Sequence, residues 1–297
     1  MSEIKTRNPR ADEILSLRKI WNSVFGDIGA DAFFRLLYDT RLCIVADVDG
    51  SPAAMGYLIP SGEIVSGVNN KSSTDPVKCA MIYAVATLPR HRGIGLGTYV
   101  VRRLLSLARE FGYDAVVLCP SDDRLFEYYC EHTGMRDWFY ITEQVVEYVD
   151  SGSTAVDPVE LSAVDYLRMR ENLLKGIVHI KQDLVALEYQ AMICNELGGG
   201  LFRIGESCAV VERQPDGTIW IKELLTAGVE NNELTAGMIT ITELASIARK
   251  FPSQGYIVRY PSRTGEGRRF GMIELYDTTL FDNKKLVFSP WYGVAFD

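Results

Sequence analysis

The sequence contains no long apolar run, and this absence limits where the protein can work. A membrane-spanning helix needs roughly 18 to 20 consecutive apolar residues, and no run of that length occurs. The polar beginning, residues 1–7, also lacks the apolar core of a secretory signal. We therefore expect no membrane contact and a cytoplasmic location.

The residue patterns of metal, redox and hydrolase sites are also missing. The three histidines are dispersed, the six cysteines form no C-x-x-C pair, and no G-x-S-x-G motif occurs. Most cysteines stand among apolar residues, where a free thiol packs as a small hydrophobic side chain. We predict no metal cofactor and expect the cysteines to be reduced core residues.

Positive charge is scarce overall, with a formal net charge of -8. A nucleic-acid partner requires a basic surface, so we predict none, whereas a cationic acceptor suits this balance. Residues 76–109 depart from the rest because they contain no Asp or Glu but several basic residues: Lys78, Arg90, Arg92, Arg102, Arg103 and Arg109. Such a basic segment favours an anionic ligand, although we assign Arg102, Arg103 and Arg109 to an ordinary solvated helix face. The oligomeric state is not indicated.

The length of 297 residues and the 47% hydrophobic content favour two domains of ordinary size. Residues 150–154, Asp-Ser-Gly-Ser-Thr, are small and polar and are typical of a linker. We therefore place one domain at residues 1–149 and a second at residues 150–297.

Hydrophobic periodicity and turn residues predict a mixed α/β fold in which helices flank a mixed sheet. In the first half we predict helices at 12–25, 30–38, 96–111 and 124–131, and strands at 42–48, 52–59, 79–88, 115–118 and 138–149. In the second half we predict helices at 163–174, 184–197 and 233–250, and strands at 201–204, 207–211, 218–224, 256–260, 271–275 and 286–288. Asp49-Gly50 predicts a hairpin turn, Gly112 a helix end, and Asn232 a helix N-cap. The element order of the two halves is similar, which favours two related domains.

Glycines at positions 93, 95 and 97 follow an apolar strand and open a helix. Unpaired N–H groups and the dipole at a helix start favour an anion, above all phosphate. The spacing fits neither the dinucleotide fingerprint G-x-G-x-x-G nor a P-loop. The pattern therefore predicts a phosphate-binding turn of another kind, with a purely structural glycine turn as the alternative.

Residues 89–97, Pro-Arg-His-Arg-Gly-Ile-Gly-Leu-Gly, resemble motif A of the GNAT superfamily of N-acetyltransferases, R/Q-x-x-G-x-G/A, read on Arg92, Gly95 and Gly97. The resemblance implies two GNAT-like domains in tandem, the second degenerate, and acetyl-CoA as cosubstrate. It implies acetyl transfer to a primary amine of a small-molecule or peptide acceptor. It also implies that the pantetheine arm pairs with Val85 and Thr87 and that the diphosphate is held by Arg92, Gly93, Gly95, Gly97 and Thr98.

A second segment, residues 120–135, resembles the family's motif B and contains Tyr128, Tyr129 and Gly134. The resemblance implies that Tyr129 is the general acid that protonates the departing thiolate, and we assign Tyr128 to packing. The family usually has four positions from this tyrosine to the glycine, whereas five separate Tyr129 from Gly134 here. The direction of the phenol therefore depends on how the helix accommodates the extra residue.

The general base is not evident, because residues 81–86 of the motif A strand contain no carboxylate. One candidate is the chain's end, since residues 291–297 are too apolar to fray readily and could dock the carboxylates of Asp297. In the second half, residues 226–232 lack the arginine and glycine spacing of the first turn, so we expect no CoA site there. We predict that residues 263–269 form a mobile loop.

Two other functions remain open. The missing strand carboxylate and the altered tyrosine spacing also fit a non-catalytic sensor that binds CoA or acetyl-CoA. A scaffold without any ligand is the third possibility. An acetyltransferase is the leading hypothesis.

Overall fold

A computed structural model describes residues 4–65, 77–147, 155–226, 229–230, 233–234, 241–277 and 286–296. It confirms the predicted mixed α/β class with helices flanking mixed sheet. Contacts group the chain into two compact units, the first within Met1–Glu63, Asp75–Asp137 and Gly271–Phe281, the second within Ile64–Thr74, Trp138–Phe270 and Asp282–Asp297. The expected linker at 150–154 lies outside the described residues, so a domain boundary at residue 150 stays a prediction.

The first unit is built on a sheet with the strand order β1-β2-β3-β4-β5-β15. Strands β4 and β5 are parallel and joined through α3, whereas β1–β2, β2–β3 and β5–β15 pair antiparallel. Its strands are β1 (Ile4–Arg7), β2 (Cys43–Val48), β3 (Ser51–Val65), β4 (Val77–Thr87), β5 (Ala115–Leu118) and the end of β15 (Arg268–Leu275). Its helices are α1 (Ile14–Phe25), α2 (Ala30–Leu36), α3 (Leu96–Glu110) and α4 (Asp123–Thr133).

Helix α3 packs on one face of this sheet through a stripe of apolar residues that includes Val100 and Leu104, both fully buried. Burying each such side chain contributes about 1.5–3 kcal/mol. Gly56 of β3 permits this contact, since a Cβ there would lie 2.8 Å from Cγ1 of Val100. The close helix–sheet approach fixes where the first turn of α3 stands relative to the end of β4.

The second unit has the strand order β6-β14-β11-β10-β9-β7. Strands β11 and β14 are parallel, and a helix, α7, lies between them in the chain, as α3 lies between β4 and β5. Its strands are β6 (Arg136–Val146), β7 (Val159–Glu160), β8 (His179–Gln182), β9 (Gly200–Ile204), β10 (Ser207–Arg213), β11 (Ile219–Leu225), β12 (Val229–Glu230), β13 (Glu233–Leu234) and β14 (Tyr256–Pro261). Its helices are α5 (Ala163–Leu173), α6 (Leu184–Glu196) and α7 (Ile241–Lys250). Most of β6, which the sequence analysis placed in the first domain, belongs to this unit because it pairs with β14.

A fully buried ion pair between Arg170 and Glu223 lies inside the second unit, with Nε and Oε2 2.9 Å apart. Tyr166 and Trp291 both donate hydrogen bonds to the Glu223 carboxylate, and Arg170 also donates to the carbonyl oxygen of Tyr292. Breaking such a pair is costly because the remaining charge stays buried. The cluster therefore holds residues 291 and 292, near the chain's end, firmly within this unit.

Several predicted elements differ from the observed ones. Of the helix predicted at 233–250, residues Ile241–Lys250 are observed as helix, whereas Glu233–Leu234 instead forms β13 and pairs antiparallel with β12. Residues 235–240 and Asn232, the predicted N-cap, lie outside the described residues. The strand predicted at 286–288 is wrong, since Phe288 makes only an isolated bridge to Arg263. Strands β1 and β8 were not predicted, because each has only four, mostly polar residues without alternating apolar positions.

The cysteine prediction holds for four of the six residues. Cys43, Cys79, Cys194 and Cys208 are free and buried. Cys119 is half-buried, and Cys130 is exposed on α4, so the prediction of a core position is wrong for Cys130. No helix in the described part of the chain is long and apolar enough to cross a membrane.

Candidate active site

Strand β4 separates from its parallel neighbour before it ends. Its register with β5 covers only Cys79 to Met81, although β4 runs on to Thr87. In the part of β4 beyond this register Ala84 has a φ of 48°, a left-handed conformation that a residue with a Cβ adopts only at a cost. Ala84 therefore interrupts the regular alternation of side-chain direction along β4. Residues 82–87 lie beyond the register with β5, so the edge of β4 that would face β5 is not paired with it there.

The turn after β4 takes its shape from two glycines. Gly93 and Gly95 both have a φ of 81°, where other L-residues are strained. A short 3₁₀ turn, Pro89–His91, precedes them, and the amide of Leu88 donates to the carbonyl oxygen of Ala53 at 2.9 Å. The turn is thus tied to β3 at one side and enters α3 through Gly95, the N-cap residue, at the other.

The N-terminus of α3 has no protein cap. Gly95 offers no side chain, and within the described residues no other side chain accepts a hydrogen bond from the first turn. The amides of Leu96, Gly97 and Thr98 precede the first intrahelical bond, in which the amide of Tyr99 donates to the carbonyl oxygen of Gly95. A Cβ at Gly93 or Gly97 would meet no atom within 4 Å. Open space and uncapped N–H groups therefore coincide, which fits a bound phosphate.

Two arginines add positive charge at this turn. Arg90 and Arg92 are exposed, and in the described part of the chain neither pairs with a carboxylate. Arg90 donates from Nε to Nε2 of His91, and Arg92 donates from Nε to the carbonyl oxygen of Thr87 at 3.2 Å. Both guanidinium groups keep N–H donors for an anion, and Thr87 keeps one carbonyl lone pair.

The backbone conformations also favour a different reading of motif A. The pattern R-x-x-G-x-G fits Arg92, Gly95 and Gly97, but it equally fits Arg90, Gly93 and Gly95. Only the second reading puts both glycines at positive φ, whereas Gly97 lies inside α3. The sequence analysis did not assign Arg90, because both sets of glycines have the same spacing. Spacing alone does not show that the turn requires positive φ at Gly93, whereas Gly97 has an ordinary helical conformation.

Thr98 is linked to α4 by a hydrogen bond between its hydroxyl and that of Tyr128. The Tyr128 ring stacks on His132 with centroids 4.6 Å apart, and Nδ1 of His132 lies 2.8 Å from the carbonyl oxygen of Tyr128. Tyr128 was assigned to packing, but its hydroxyl connects α4 to the first turn of α3. The Thr98 side chain is thereby fixed, and its backbone amide is the group left for a ligand.

Tyr129, the predicted general acid, is 8% exposed and belongs to the core beside α3. Burial raises the pKa of Tyr129 to about 12, with the neighbouring Tyr128 adding to the effect. A phenol with this pKa is protonated at neutral pH, as a proton donor must be.

Helix α4 runs as regular α-helix from Asp123 to Thr133, and Gly134 ends it with a φ of 80°. The extra residue before Gly134 is therefore not absorbed by a bulge, and position 130, four before the glycine, points about 100° away from position 129. Cys130 occupies that position and is exposed, whereas Tyr129 faces the core.

The remaining predicted features lie elsewhere or outside the described residues. Asp297 is outside them, so its role as base stays a prediction. Residues 263–269 were expected to be a mobile loop, but the amide and hydroxyl of Thr264 bond to the carbonyl oxygens of Val287 and Leu286, and Arg268 pairs with Glu143 at 2.7 Å. Among the described residues no cluster of three His, Cys, Asp or Glu could hold a metal ion.

Comparison with known proteins identifies the region that contains this site. Residues 13–134 match the model of the acetyltransferase (GNAT) family. This range includes β4, the glycine turn, α3 and α4. A search of the curated proteins found no match.

Solved structures of the same fold cover nearly the whole chain. A GCN5-related N-acetyltransferase from Kribbella flavida has a TM-score of 0.64 at 14% identity, over 93% of this chain and 72% of that one. A GCN5-related N-acetyltransferase from Anabaena variabilis has a TM-score of 0.62 at 15% identity, over 93% and 73%. A putative acetyltransferase from Pyrococcus horikoshii has a TM-score of 0.57 at 14% identity, over 92% and 90%. At these identities the likeness shows a shared fold.

Proposed function

We propose that this protein transfers the acetyl group of acetyl-CoA to a primary amine by direct attack, because residues 13–134 match the model of the acetyltransferase (GNAT) family. The observation that carries the proposal is the uncapped start of α3, which lies directly after a strand that has left its parallel neighbour. The uncapped helix start can bind the diphosphate of acetyl-CoA, and the adjacent strand edge can bind the arm that carries its thioester. A single ligand of this kind needs both features next to each other.

The proposed diphosphate site consists of the amides from Gly93 to Thr98, with Arg90 and Arg92 beside it. Four observations support it: the positive φ of Gly93 and Gly95, the open space beside Gly93 and, among the described residues, the absence of a side-chain cap on α3 and of carboxylate partners for the two arginines. Each hydrogen bond from an amide to a charged phosphate contributes about 1.5–3 kcal/mol.

The proposed pantetheine site is the edge of β4 that β5 no longer covers, at Val85 and Thr87. An extended arm can pair with backbone groups there as an added strand does, because β5 has diverged after Met81. In this proposal the reacting thioester lies beside Ala84, whose φ of 48° interrupts the regular alternation of side chains along β4.

In the proposed reaction a neutral amine nitrogen attacks the thioester carbonyl, the C–S bond breaks, and the amine proton leaves to a base or to water. In this proposal the hydroxyl of Tyr129, which is 8% exposed at the edge of the core, is the donor for the departing sulfur. With a pKa of about 12, it is a weaker acid than a thiol, whose ordinary pKa is about 8.5. We therefore assign Tyr129 the role of hydrogen-bond donor to the developing thiolate, and we retain Asp297 as the proposed base.

The proposed acceptor is a cationic small molecule or peptide, in keeping with the net charge of -8. A non-catalytic CoA sensor is the second candidate. Two observations favour it: residues 81–86 supply no carboxylate, and Tyr129 is buried in the core.

Two measurements on the purified protein separate these functions. Binding of CoA at 100 times its Kd stabilises the folded state by about 2.7 kcal/mol, which a thermal shift detects. Release of free thiol from acetyl-CoA is then followed with a panel of polyamines, aminoglycosides and lysine peptides. Binding with amine-dependent thiol release supports the enzyme, binding without release across the panel supports the sensor, and no thermal shift rejects both.

A further inference from the structure

His179 in the second unit has two hydrogen-bond contacts that a neutral histidine cannot satisfy together. Its side chain is 3% exposed. Nδ1 lies 2.7 Å from the carbonyl oxygen of Ile177, and Nε2 lies 3.2 Å from Oε2 of Glu171. A carbonyl oxygen and an ionised carboxylate only accept hydrogen bonds, whereas a neutral imidazole has one N–H group and one lone pair. The arrangement is therefore complete only when His179 and Glu171 together hold one additional proton.

The neighbouring charges favour that proton on His179. Burial raises the pKa of Glu171, but the hydrogen bond and charge of His179, together with Arg170 and Lys181, bring it below its usual value. Arg170 approaches from α5, with Nη1 3.4 Å from Oε1 of Glu171, and it also pairs with Glu223 of β11. Lys181 of β8 is exposed to solvent. Two less exposed cations, Arg170 and His179, thus balance the two carboxylates only while the imidazole is protonated.

Residues 288–296, which we call the strap, lie directly beside this histidine. The amide of Trp291 donates to the carbonyl oxygen of Val178 at 2.8 Å, and the amide of Ile180 donates to the carbonyl oxygen of Trp291 at 3.0 Å. Trp291 thereby forms a parallel bridge with His179 itself. The strap has no charged side chain that could replace the imidazolium. Its position therefore depends on the backbone on both sides of His179.

The charged cluster also binds the strap through side-chain donors. Arg170 donates from Nη2 to the carbonyl oxygen of Tyr292 at 3.1 Å and from Nη1 to that of Ile180 at 2.8 Å. Gln182 donates to the carbonyl oxygens of Tyr292 and Val294, at 3.1 and 3.2 Å. His179 and Gln182 are the first and last residues of β8. A displacement of the histidine therefore disturbs the strand that binds the strap.

We infer that His179 and Glu171 form a pH-sensitive switch, which docks the strap while the pair holds its proton and releases the strap when that proton is lost. Histidine side chains ordinarily change charge between about pH 5 and pH 8. After loss of the proton a ring lone pair faces an oxygen, and Glu171 and Glu223 are left with only Arg170 as their less exposed cation; both changes are unfavourable away from water. The strap is therefore docked at lower pH and is released as the pH rises. This inference concerns the second unit and goes beyond the proposed acetyl transfer.

The test follows hydrogen exchange by mass spectrometry on the full chain at about pH 5.5 and about pH 8.5. The rates are corrected for the intrinsic pH dependence of amide exchange. Peptides that cover residues 178–182 and 288–296 report on docking of the strap. A peptide that covers β10 reports whether the unit as a whole stays folded.

Glu171→Gln is the main variant, because its side-chain amide can donate to the lone pair of a neutral His179 ring and so removes the need for the proton. Glu188→Gln makes the same charge change at an exposed position of α6 and is its control. His179→Gln removes the titrating ring, and His132→Gln removes a histidine of the first unit as the matching control.

In the wild-type protein we expect the two strap peptides to lose protection by about 10- to 100-fold from the lower to the higher pH, while the β10 peptide keeps its protection. Glu171→Gln should stay protected at both pH values, and His179→Gln should show no change with pH. Glu188→Gln and His132→Gln should behave as the wild type.

Equal protection of the strap at both pH values in the wild type would overturn the inference, as would a wild-type pH response in Glu171→Gln. A parallel loss of protection in the β10 peptide would also overturn it, because the unit would then unfold as a whole. None of these results bears on CoA binding, so the proposed function is tested separately.

Discussion

Gly95→Ala tests the central physical claim, that uncapped amides at the start of α3 bind the diphosphate. Gly95 has a φ of 81°, so a Cβ there costs about 1–2 kcal/mol of stability. The same Cβ also projects from the turn that would hold the phosphate. Displacing the phosphate from a single amide costs about 1.5–3 kcal/mol, equivalent to a loss of about 10- to 100-fold in CoA affinity.

Gly112→Ala is the matched control, because Gly112 follows the end of the same helix with a φ of 74°, and a Cβ there would meet no atom within 4 Å. Gly97→Ala is a second control, since it keeps its amide and lies inside the helix. Alanine at this helical position stabilises the protein by up to about 1 kcal/mol.

The assay combines urea unfolding with calorimetric titration of CoA. Gly95→Ala and Gly112→Ala should lose similar stability, but only Gly95→Ala should bind CoA at least tenfold more weakly. Gly97→Ala should be more stable and should bind within about threefold of the wild type. Equal CoA affinities for Gly95→Ala and Gly112→Ala would refute the role of this turn.

Three further predictions concern the proposed hydrogen-bond donor, the buried ion pair and the thiols. Tyr129→Phe should lower kcat by about 10²–10³-fold with little change in KM for acetyl-CoA, because one donor to the developing thiolate is lost. Burial raises the pKa of Tyr129 to about 12, so the phenol should lose its proton only as pH rises towards that value; an alkaline loss of kcat centred near pH 10 that vanishes in the variant would contradict this. Glu223→Gln should lower the free energy of unfolding by about 3–5 kcal/mol in urea, since Arg170 stays buried without its charged partner. Glu110→Gln, which removes the exposed pair with Arg103, should leave the urea midpoint unchanged. Equal effects of the two substitutions would show that burial of the ion pair does not matter. A thiol reagent should modify Cys130 rapidly and the four buried cysteines only after denaturation; protection of Cys130 in the native protein would show that α4 is covered.

Much of the proposed site could be predicted because its signals are local. The helix predicted at 96–111 is observed as Leu96–Glu110, and Gly112 follows its end at positive φ. The hairpin predicted at Asp49-Gly50 is confirmed by antiparallel β2 and β3, with φ values of 50° and 87°. These features depend on backbone preferences within a few residues, which the amino acids themselves carry.

The finer geometry of the site could not be predicted from spacing. Two readings of motif A fit the sequence equally, and only the backbone conformation favours Arg90, Gly93 and Gly95. The hydrogen bond between Thr98 and Tyr128 joins residues 30 positions apart. Which of two adjacent tyrosines faces the core depends on how α4 packs beside α3.

The amino-acid sequence by itself determined the mixed α/β class, most helix and strand positions and the glycine turn, because periodicity and glycine conformation act over short distances. Only the tertiary structure decided that β4 leaves β5 after Met81, that β15 completes the first unit by pairing with β5, and that Arg102 donates from Nε to the carbonyl oxygen of His132 on α4. These outcomes depend on contacts between residues far apart in the chain, where packing and pairing outweigh local preference.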